Sequence, residues 1–172
     1  VYFLLLMYGI LFLFLDEQFN MLRHLSIQNY ALIEKIEIDF PESLSIITGE
    51  TGAGKSILLG ALSLIAGNRA DSSSLQDKTK KCIVEATFDI KNYSLKTFFR
   101  ENELDYAEQT VIRRELVGIS TPNQQEGKSR AFINDTPVNL SLLRELSFEL
   151  IDIHSQHETL TLNEAAYQLS VA

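Results

Sequence analysis

The residues best suited to chemistry form one run, Gly49-Glu50-Thr51-Gly52-Ala53-Gly54-Lys55-Ser56. Its glycines let the backbone adopt conformations that a Cβ would block and let it approach a ligand closely. The successive N–H groups of such a loop form a concave site for an anion. The lysine can reach the β- and γ-phosphates of a nucleoside triphosphate, and the serine hydroxyl can bind Mg²⁺. The run therefore predicts a phosphate-binding loop in which all of these residues contact the nucleotide and Lys55 is catalytic.

The segments on either side of this run are those that a phosphate-binding loop requires. Residues 44–48 (LSIIT) have the composition of a short buried strand, and residues 57–66 (ILLGALSLIA) have the apolar spacing of a helix. A strand, a glycine loop and a helix in this order direct the loop N–H groups and the positive end of the helix dipole to one point. Gly67 and Asn68 are suited to end the helix.

The bulk composition is that of one globular domain. The chain has 172 residues, of which 45% are hydrophobic and 22% are charged. The net charge of −8 and the isoelectric point of about 4.9 argue against a broad basic surface, so nucleic-acid binding would need a local cluster of cations. The single cysteine, Cys82, cannot form an internal disulfide, which leads us to expect a reducing, cytoplasmic compartment.

Residues 1–20 differ from the rest of the chain. Val1 to Leu15 carry no charge, but this run is shorter than the ~20 apolar residues of a membrane-spanning helix. It also lacks the basic start and the small-residue cleavage site of a signal peptide. Ordinary patterning begins at Met21, so we expect residues 1–20 to be an apolar extension outside the fold and residues 21–172 to form the domain.

Patterning also predicts the elements of that domain. Strands are predicted at residues 22–29, 36–40, 82–90, 110–117, 130–134 and 150–153, and helices at 95–104 and 140–150. Asn139 is suited to cap the second of these helices, and residues 134–137 (NDTP) are typical of a turn. Antiparallel strands on both sides of a phosphate loop predict an α/β fold in which a mixed sheet lies beside an antiparallel β lobe.

Four segments together resemble one family. They are residues 21–33 (MLRHLSIQNYALI), 49–71 (GETGAGKSILLGALSLIAGNRAD), 129–138 (SRAFINDTPV) and 150–158 (LIDIHSQHE). Over essentially all of residues 21–172 the chain resembles the RecN family of bacterial DNA repair proteins, ATPases related to the structural-maintenance-of-chromosomes (SMC) proteins. The resemblance implies a P-loop NTPase head of the ABC/SMC type that uses ATP and Mg²⁺.

The resemblance also implies partners. In this family an ATP-binding head is split in sequence by long coiled-coil arms, and its C-terminal lobe carries a signature motif and an Asp-Glu pair. Neither motif is found in this sequence, so we expect residues 21–172 to be an N-terminal lobe that hydrolyses little ATP by itself. The implied partners are DNA with double-strand breaks, a C-terminal lobe and a second head in a homodimer, on the nucleoid and without stable membrane association.

Gln156 matches the position of the family's Q-loop glutamine. The resemblance implies that this side chain contacts Mg²⁺ and the attacking water, so Gln156 joins Lys55 as an expected catalytic residue and Ser56 as an expected metal ligand. From residue type alone, an ordinary exposed loop glutamine is the simpler interpretation. His154, His157 and Glu158 lie nearby, but their spacing is not that of a zinc site.

Several cations could form a DNA-facing patch. They are Lys78, Lys80, Lys81, Arg113, Arg114, Lys128 and Arg130. Because runs of charge are usually solvated faces, a DNA role depends on the family resemblance and not on this pattern. Arg69, just past the first helix, is either near nucleotide or DNA or an ordinary surface arginine.

Three other functions remain compatible with the loop. A membrane-associated ABC transporter cassette would give the apolar N-terminus a purpose. A small stand-alone P-loop NTPase would hold Mg²⁺ through Asp152 at a strand end. A lobe with a vestigial nucleotide site would only oligomerise.

Overall fold

A computed structural model of the chain describes residues 3–7, 10–14, 21–41, 45–47, 53–70, 74–118 and 128–154. The elements in chain order are β1 (Phe3–Met7), β2 (Ile10–Phe14), β3 (Leu22–Tyr30), β4 (Ile33–Asp39), β5 (Ser45–Ile47), α1 (Ala53–Ile65), β6 (Lys81–Asp89), α2 (Lys96–Glu101), β7 (Gln109–Val117), β8 (Lys128–Ile133), β9 (Thr136–Val138), α3 (Leu140–Leu150) and β10 (Asp152–His154). The strands form two sheets, and helices α1 and α3 pack on the larger one.

The larger sheet has six antiparallel strands in the order β4-β3-β6-β7-β8-β9. The central strands β6 and β7 alternate apolar and polar residues, so each of them buries every second side chain on one face. On β6 the buried set is Cys82, Val84, Ala86 and Phe88. This sheet is the antiparallel lobe that the patterning predicted.

Helix α1 packs across the inner face of this sheet, against β3, β6 and β7. Its buried residues Leu58, Ala61, Leu62 and Ile65 recur at helical spacing and join one continuous core with the inner face of the sheet. Helix α3 packs beside β8 and adds Leu143, Leu146 and Leu150 to the same core. The core therefore fixes the position of α1 on the sheet.

Both predicted helix caps are present. The side chain of Asn139 accepts a hydrogen bond from the N–H of Leu142 at 2.8 Å, as the first turn of α3 requires. At the end of α1, Gly67 has a positive φ of 86°, and the N–H of Asn68 donates to the carbonyl of Ser63 at 3.0 Å. This 6→1 bond around a left-handed residue is a Schellman motif, in which glycine avoids the strain that a Cβ would cause.

The smaller sheet has four strands in the order β10-β1-β2-β5. Strand β1 pairs parallel with β10 and antiparallel with β2, and β2 pairs antiparallel with β5. Strands β5 and β10 therefore run in the same direction, which gives the mixed sheet that the fold class requires. The sequence led us to expect residues 1–20 outside the fold, whereas the backbones of residues 3–7 and 10–14 form the two inner strands here. The division at residue 20 stays a prediction.

One predicted turn is wrong in part. Residues 134–135 turn as expected, with positive φ at both, but Pro137 lies within β9, paired with Phe132 of β8. A proline is tolerated there because β9 is the edge strand of its sheet, so no ladder bond from its nitrogen is needed on the outer side.

Candidate functional site

The front end of α1 carries the described part of the phosphate-binding run. The helix begins at Ala53, so Gly54, Lys55 and Ser56 lie in its first turn, which contains no acidic side chain. Lys55 is three residues before Leu58 and seven before Leu62, and it shares their buried face with an exposed fraction of only 7%. Ser56 is exposed. The first turn thus combines a positive helix end, a buried ammonium group and an accessible hydroxyl.

The first turn of α1 is open at Gly54. A Cβ built on Gly54 would meet no atom within 4 Å. The positive end of a helix favours an anion, and the charge of Lys55 in the same turn favours it further. These residues are therefore suited to hold a triphosphate, with the Ser56 hydroxyl able to bind Mg²⁺. Gly49, Glu50, Thr51 and Gly52 lie outside the described residues.

The register of the smaller sheet brings the carboxyl ends of β5 and β10 to the same end of the sheet. Across the sheet, His154 of β10 is level with Ile46 of β5, through Leu5 and Phe12 of the strands between them. The ends of β5 and β10 therefore lie within one residue of the same level. Parallel strands send the loops after their carboxyl ends to the same side of a sheet, where α/β proteins bind ligands. Gln156 itself lies outside the described residues, but it follows the end of β10 by two positions.

Asp152 is at the opposite end of β10. It is the first residue of that strand and pairs with Phe3, which is level with Phe14. The residue before Phe14 on β2 is Leu13, and Leu13 is level with Ser45 of β5. Asp152 is therefore three residues short of the level of Ile47, the last residue of β5. At about 3.3 Å per residue, Asp152 lies about 10 Å along the strand direction from the carboxyl end of β5, which the phosphate-binding run follows in sequence. The backbone thus disfavours Asp152 as the Mg²⁺ ligand of a stand-alone NTPase.

The rear end of α1 is held by three side chains that the sequence did not single out for this role. Arg114 of β7 is fully buried, and its Nη1 donates to the carbonyls of Leu64 at 2.8 Å and Asn68 at 3.1 Å. From α3, Arg144 Nε donates to the carbonyl of Gly67, and the Ser147 hydroxyl donates to that of Ile65, each at 2.9 Å. Cations at the carbonyl end of a helix complement its dipole.

Burial dominates the electrostatics of Arg114. Burial, together with a smaller effect of the nearby charge of Arg144, lowers the pKa of the guanidinium to about 10. The signal for this burial was present in the sequence, because Arg114 stands between Ile112 and Leu116 on the apolar face of an alternating strand. A charge at such a position indicates a buried partner, here the end of a helix.

The structure corrects the proposed DNA-facing patch. Arg114 is inside the core, and Arg113, on the opposite face of β7, pairs with Asp135 at 2.8 Å, Glu85 at 3.6 Å and Glu115 at 3.7 Å. Lys80 and Lys81 also lie within 4 Å of carboxylates, those of Asp77 and Glu115. Lys78, Lys128, Arg130 and Arg69 are exposed. The outer face of the sheet is thus mixed in charge, which is not the basic stripe that DNA binding favours.

Two further features of the described residues bear on the site. No three His, Cys, Asp or Glu side chains in the described ranges lie close enough to hold a metal ion. Among the helices described, none is both long enough and apolar enough to cross a membrane.

Comparison with known proteins identifies the family. The AAA domain profile matches residues 24–168, which include α1 and the phosphate-binding run. The chain belongs to the AAA domain family. The resemblance to RecN is also confirmed: the chain is 39% identical to the DNA repair protein RecN of Xylella fastidiosa over 150 residues, 39% to that of Vibrio cholerae over 152 and 34% to that of Bacillus subtilis over 145. These matches cover 84–88% of this chain but only 24–26% of the relatives.

A solved structure supports the fold. The SmcHead bound to the C-winged helix domain of ScpA superposes with a TM-score of 0.50, at 18% identity, over 73% of this chain and 39% of that one. At this identity the likeness concerns the fold alone. Together with the AAA domain match it confirms the predicted P-loop NTPase head with its mixed sheet and antiparallel lobe.

Proposed function

We propose that this chain binds ATP with Mg²⁺ through Gly49–Ser56 at the front end of α1. The observation that carries the proposal is the first turn of α1, where a buried lysine, an exposed serine and open space at Gly54 meet the positive end of a helix. In this proposal the loop N–H groups and Lys55 bind the β- and γ-phosphates. Ser56 binds Mg²⁺, which when present neutralises charge on the phosphate oxygens.

Gln156 is proposed as the second catalytic residue. The parallel course of β5 and β10, with their ends at nearly the same level, supports a loop after His154 on the same side of the sheet as the phosphate loop. A side-chain amide there can orient a water molecule for attack on the γ-phosphate and contribute an oxygen ligand to Mg²⁺.

For the complete protein we propose an ATPase of DNA repair. The similarity to RecN proteins supports this function, although the chain spans about a quarter of their length. In the proposal, ATP joins two heads of a homodimer at DNA double-strand breaks, with residues 21–172 as the lobe that holds the phosphate loop. Hydrolysis then parts the heads, and the residues that complete catalysis come from a C-terminal lobe.

Calorimetric titration with MgATP tests the nucleotide site. We expect the chain to bind MgATP and Lys55→Ala to bind it about 10- to 100-fold more weakly, because one charge-assisted phosphate contact contributes about 1.5–3 kcal/mol. Lys35→Ala is the matched control, since Lys35 is an exposed lysine on β4. Equal affinity in all three proteins would contradict the proposal.

Turnover separates the lobe from a stand-alone enzyme. We expect slow ATP hydrolysis by the chain alone and no change in Asp152→Asn, because the start of β10 lies away from the loop edge. Rapid hydrolysis that is abolished in Asp152→Asn would support the stand-alone NTPase instead.

A further inference from the structure

Strand β4 is one edge of the larger sheet. In the part of the chain that the structure describes, β4 pairs with β3 on one side and with no strand on the other. Five of its seven residues are exposed, so the described residues leave this edge uncovered. An edge strand presents N–H and C=O groups that can pair with a further strand.

The hydrogen bonds to β3 show which backbone groups of β4 point outward. The N–H of Phe40 donates to the carbonyl of Arg23 at 2.9 Å, and the register between the two strands is continuous from there to Lys35. In an antiparallel ladder the backbone groups of successive residues point alternately toward the partner strand and away from it. Phe40 points toward β3, so the N–H and C=O groups of Lys35 and Glu37 point away from it. These two residues form the open edge.

The side chains of β4 have a charge pattern that is symmetric about Ile36. Lys35 and Glu37 flank Ile36 on the outer face of the sheet, where their charged groups pair at 2.8 Å. Ile36 is on the inner face, level with the buried Ile27, yet it is 39% exposed because it lies at the margin of the core. An antiparallel copy of β4 centred on Ile36 would place each lysine opposite a glutamate and each Ile36 against the other.

Other registers of such a pair are less favourable. A shift by two residues places Lys35 opposite Lys35 or Glu37 opposite Glu37, and like charges directly opposite each other are destabilising. A shift by one residue brings outward backbone groups opposite inward ones, so no ladder can form. Charged residues on an edge normally oppose the addition of strands. Here they are satisfied by an antiparallel strand with the reverse order of charges, and β4 is such a strand.

We propose that β4 is an interface between two copies of this chain, paired antiparallel about Ile36 so that their two six-stranded sheets become continuous. The main-chain pairing involves residues 34–38 of each copy, so the interface is small and the dimer is in exchange with the monomer. This interface uses no nucleotide and is separate from the ATP-joined heads proposed above. Its failure would therefore leave the triphosphate site intact.

Sedimentation velocity of the whole chain without nucleotide tests the interface. From about 10 µM to about 500 µM we expect a shift from monomer toward dimer. Lys35→Glu and Glu37→Lys should each weaken dimerisation about 10-fold or more, because two attractive pairs become repulsive. Within the sheet the reversed charges are level with the neutral Gln28 and Ser26 of β3. Lys128→Glu, at an exposed position on β8, changes the net charge equally and should leave dimerisation unchanged.

Mixing the two variants identifies the register. Each variant alone has like charges across the interface, whereas Lys35→Glu paired with Glu37→Lys has two pairs of opposite charge. We expect the equimolar mixture, and the double variant, to dimerise as well as the parent. No recovery in either would overturn the proposal, as would a dimer that both single variants leave unchanged. A chain that stays monomeric at every concentration would also overturn it, since the edge would then be protected by its charges or serve another strand.

Hydrogen exchange followed by nuclear magnetic resonance tests the same pairing without substitutions. The N–H groups of Lys35 and Glu37 should exchange more slowly as the concentration rises, because the second copy accepts their hydrogen bonds. Those of Ile36 and Ile38 bond within the sheet and should be equally protected at every concentration. Unchanged exchange at Lys35 and Glu37 across the range in which the chain dimerises would place the interface elsewhere and contradict the proposal.

Discussion

The two ends of helix α1 differ in how they contact the rest of the protein. At the front, Gly54 has open space around its Cβ position and Ser56 is exposed. At the rear, the carbonyls of Leu64, Ile65 and Gly67 are each bonded to a side chain from β7 or α3. The helix is therefore anchored at its carbonyl end and accessible at its N–H end.

This difference shows how one helix can be both rigid and reactive. Every helix leaves N–H groups unpaired at its start and carbonyl groups unpaired at its end. Here protein side chains satisfy the carbonyl end, and the N–H end remains suited to an anion from outside. Substitutions at the rear should thus lower stability, whereas substitutions at the front should change binding.

The largest expected effect separates two neighbouring arginines. Arg114→Ala should lower the free energy of unfolding by about 3–5 kcal/mol, because it leaves a cavity and unpaired helix carbonyls in the core. Arg113→Ala removes partly exposed ion pairs and the contact of the guanidinium with the Phe132 ring, and should cost about 1–2 kcal/mol. Urea denaturation measures both. Equal losses would contradict the anchoring of α1 by Arg114.

Gly67, at the rear end of α1, should also tolerate substitution poorly. Gly67→Ala should cost about 2 kcal/mol in urea denaturation, since alanine at a φ of 86° is strained. The added Cβ would also come within 2.5 Å of Arg144 Cγ and 3.3 Å of its backbone nitrogen. A variant as stable as the parent would show that this turn relaxes freely and is not a fixed anchor.

The cap of α3 supports the same anchor indirectly. Asn139→Ala should cost about 1 kcal/mol, because it removes the bond from the N–H of Leu142 at the start of the helix that carries Arg144 and Ser147. Ser141→Ala, at an exposed position in the same turn, should change stability by no more than about 0.5 kcal/mol. Thermal and urea unfolding measure the stability of both variants. A larger loss in Ser141→Ala than in Asn139→Ala would contradict the role of the cap.

The front glycine should behave in the opposite way. Gly54→Ala should raise the free energy of unfolding by about 0.5–1 kcal/mol, because alanine is the better helix residue and its Cβ meets no neighbour. The same Cβ should weaken MgATP binding, since it enters the space assigned to phosphate. A more stable variant with unchanged affinity would place the nucleotide elsewhere.

Sequence patterns predicted the elements that depend on local signals. The strand and helix around the phosphate loop, the Asn139 cap and the Gly67 turn follow from residue types within a few positions of each other. Strands were also predicted at residues 82–90 and 110–117, where β6 and β7 lie. The same alternation places Arg114 on the buried face of β7, which the predicted DNA-facing patch did not take into account.

Contacts between distant segments could not be read from the sequence. An uninterrupted apolar run such as residues 3–7 and 10–14 has no period that tells a strand from a helix, and nothing in it identifies β5 and β10 as partners. Pro137 was predicted to lie in a turn because proline is rare inside strands. Proline is tolerated on an edge strand, but that β9 is an edge strand follows only from the order of strands in the sheet. The level of Asp152 relative to Ile47 likewise follows only from the assembled register.

The most direct test is an amide titration by two-dimensional nuclear magnetic resonance with MgATP. The N–H signals of residues 49–56 should shift most, because these groups are proposed to bind phosphate, while those of residues 64–68 at the anchored end should shift least. In Lys55→Ala the same signals should shift only at much higher nucleotide concentration. Absent shifts at residues 49–56, or the largest shifts at another surface, would contradict the proposed nucleotide site.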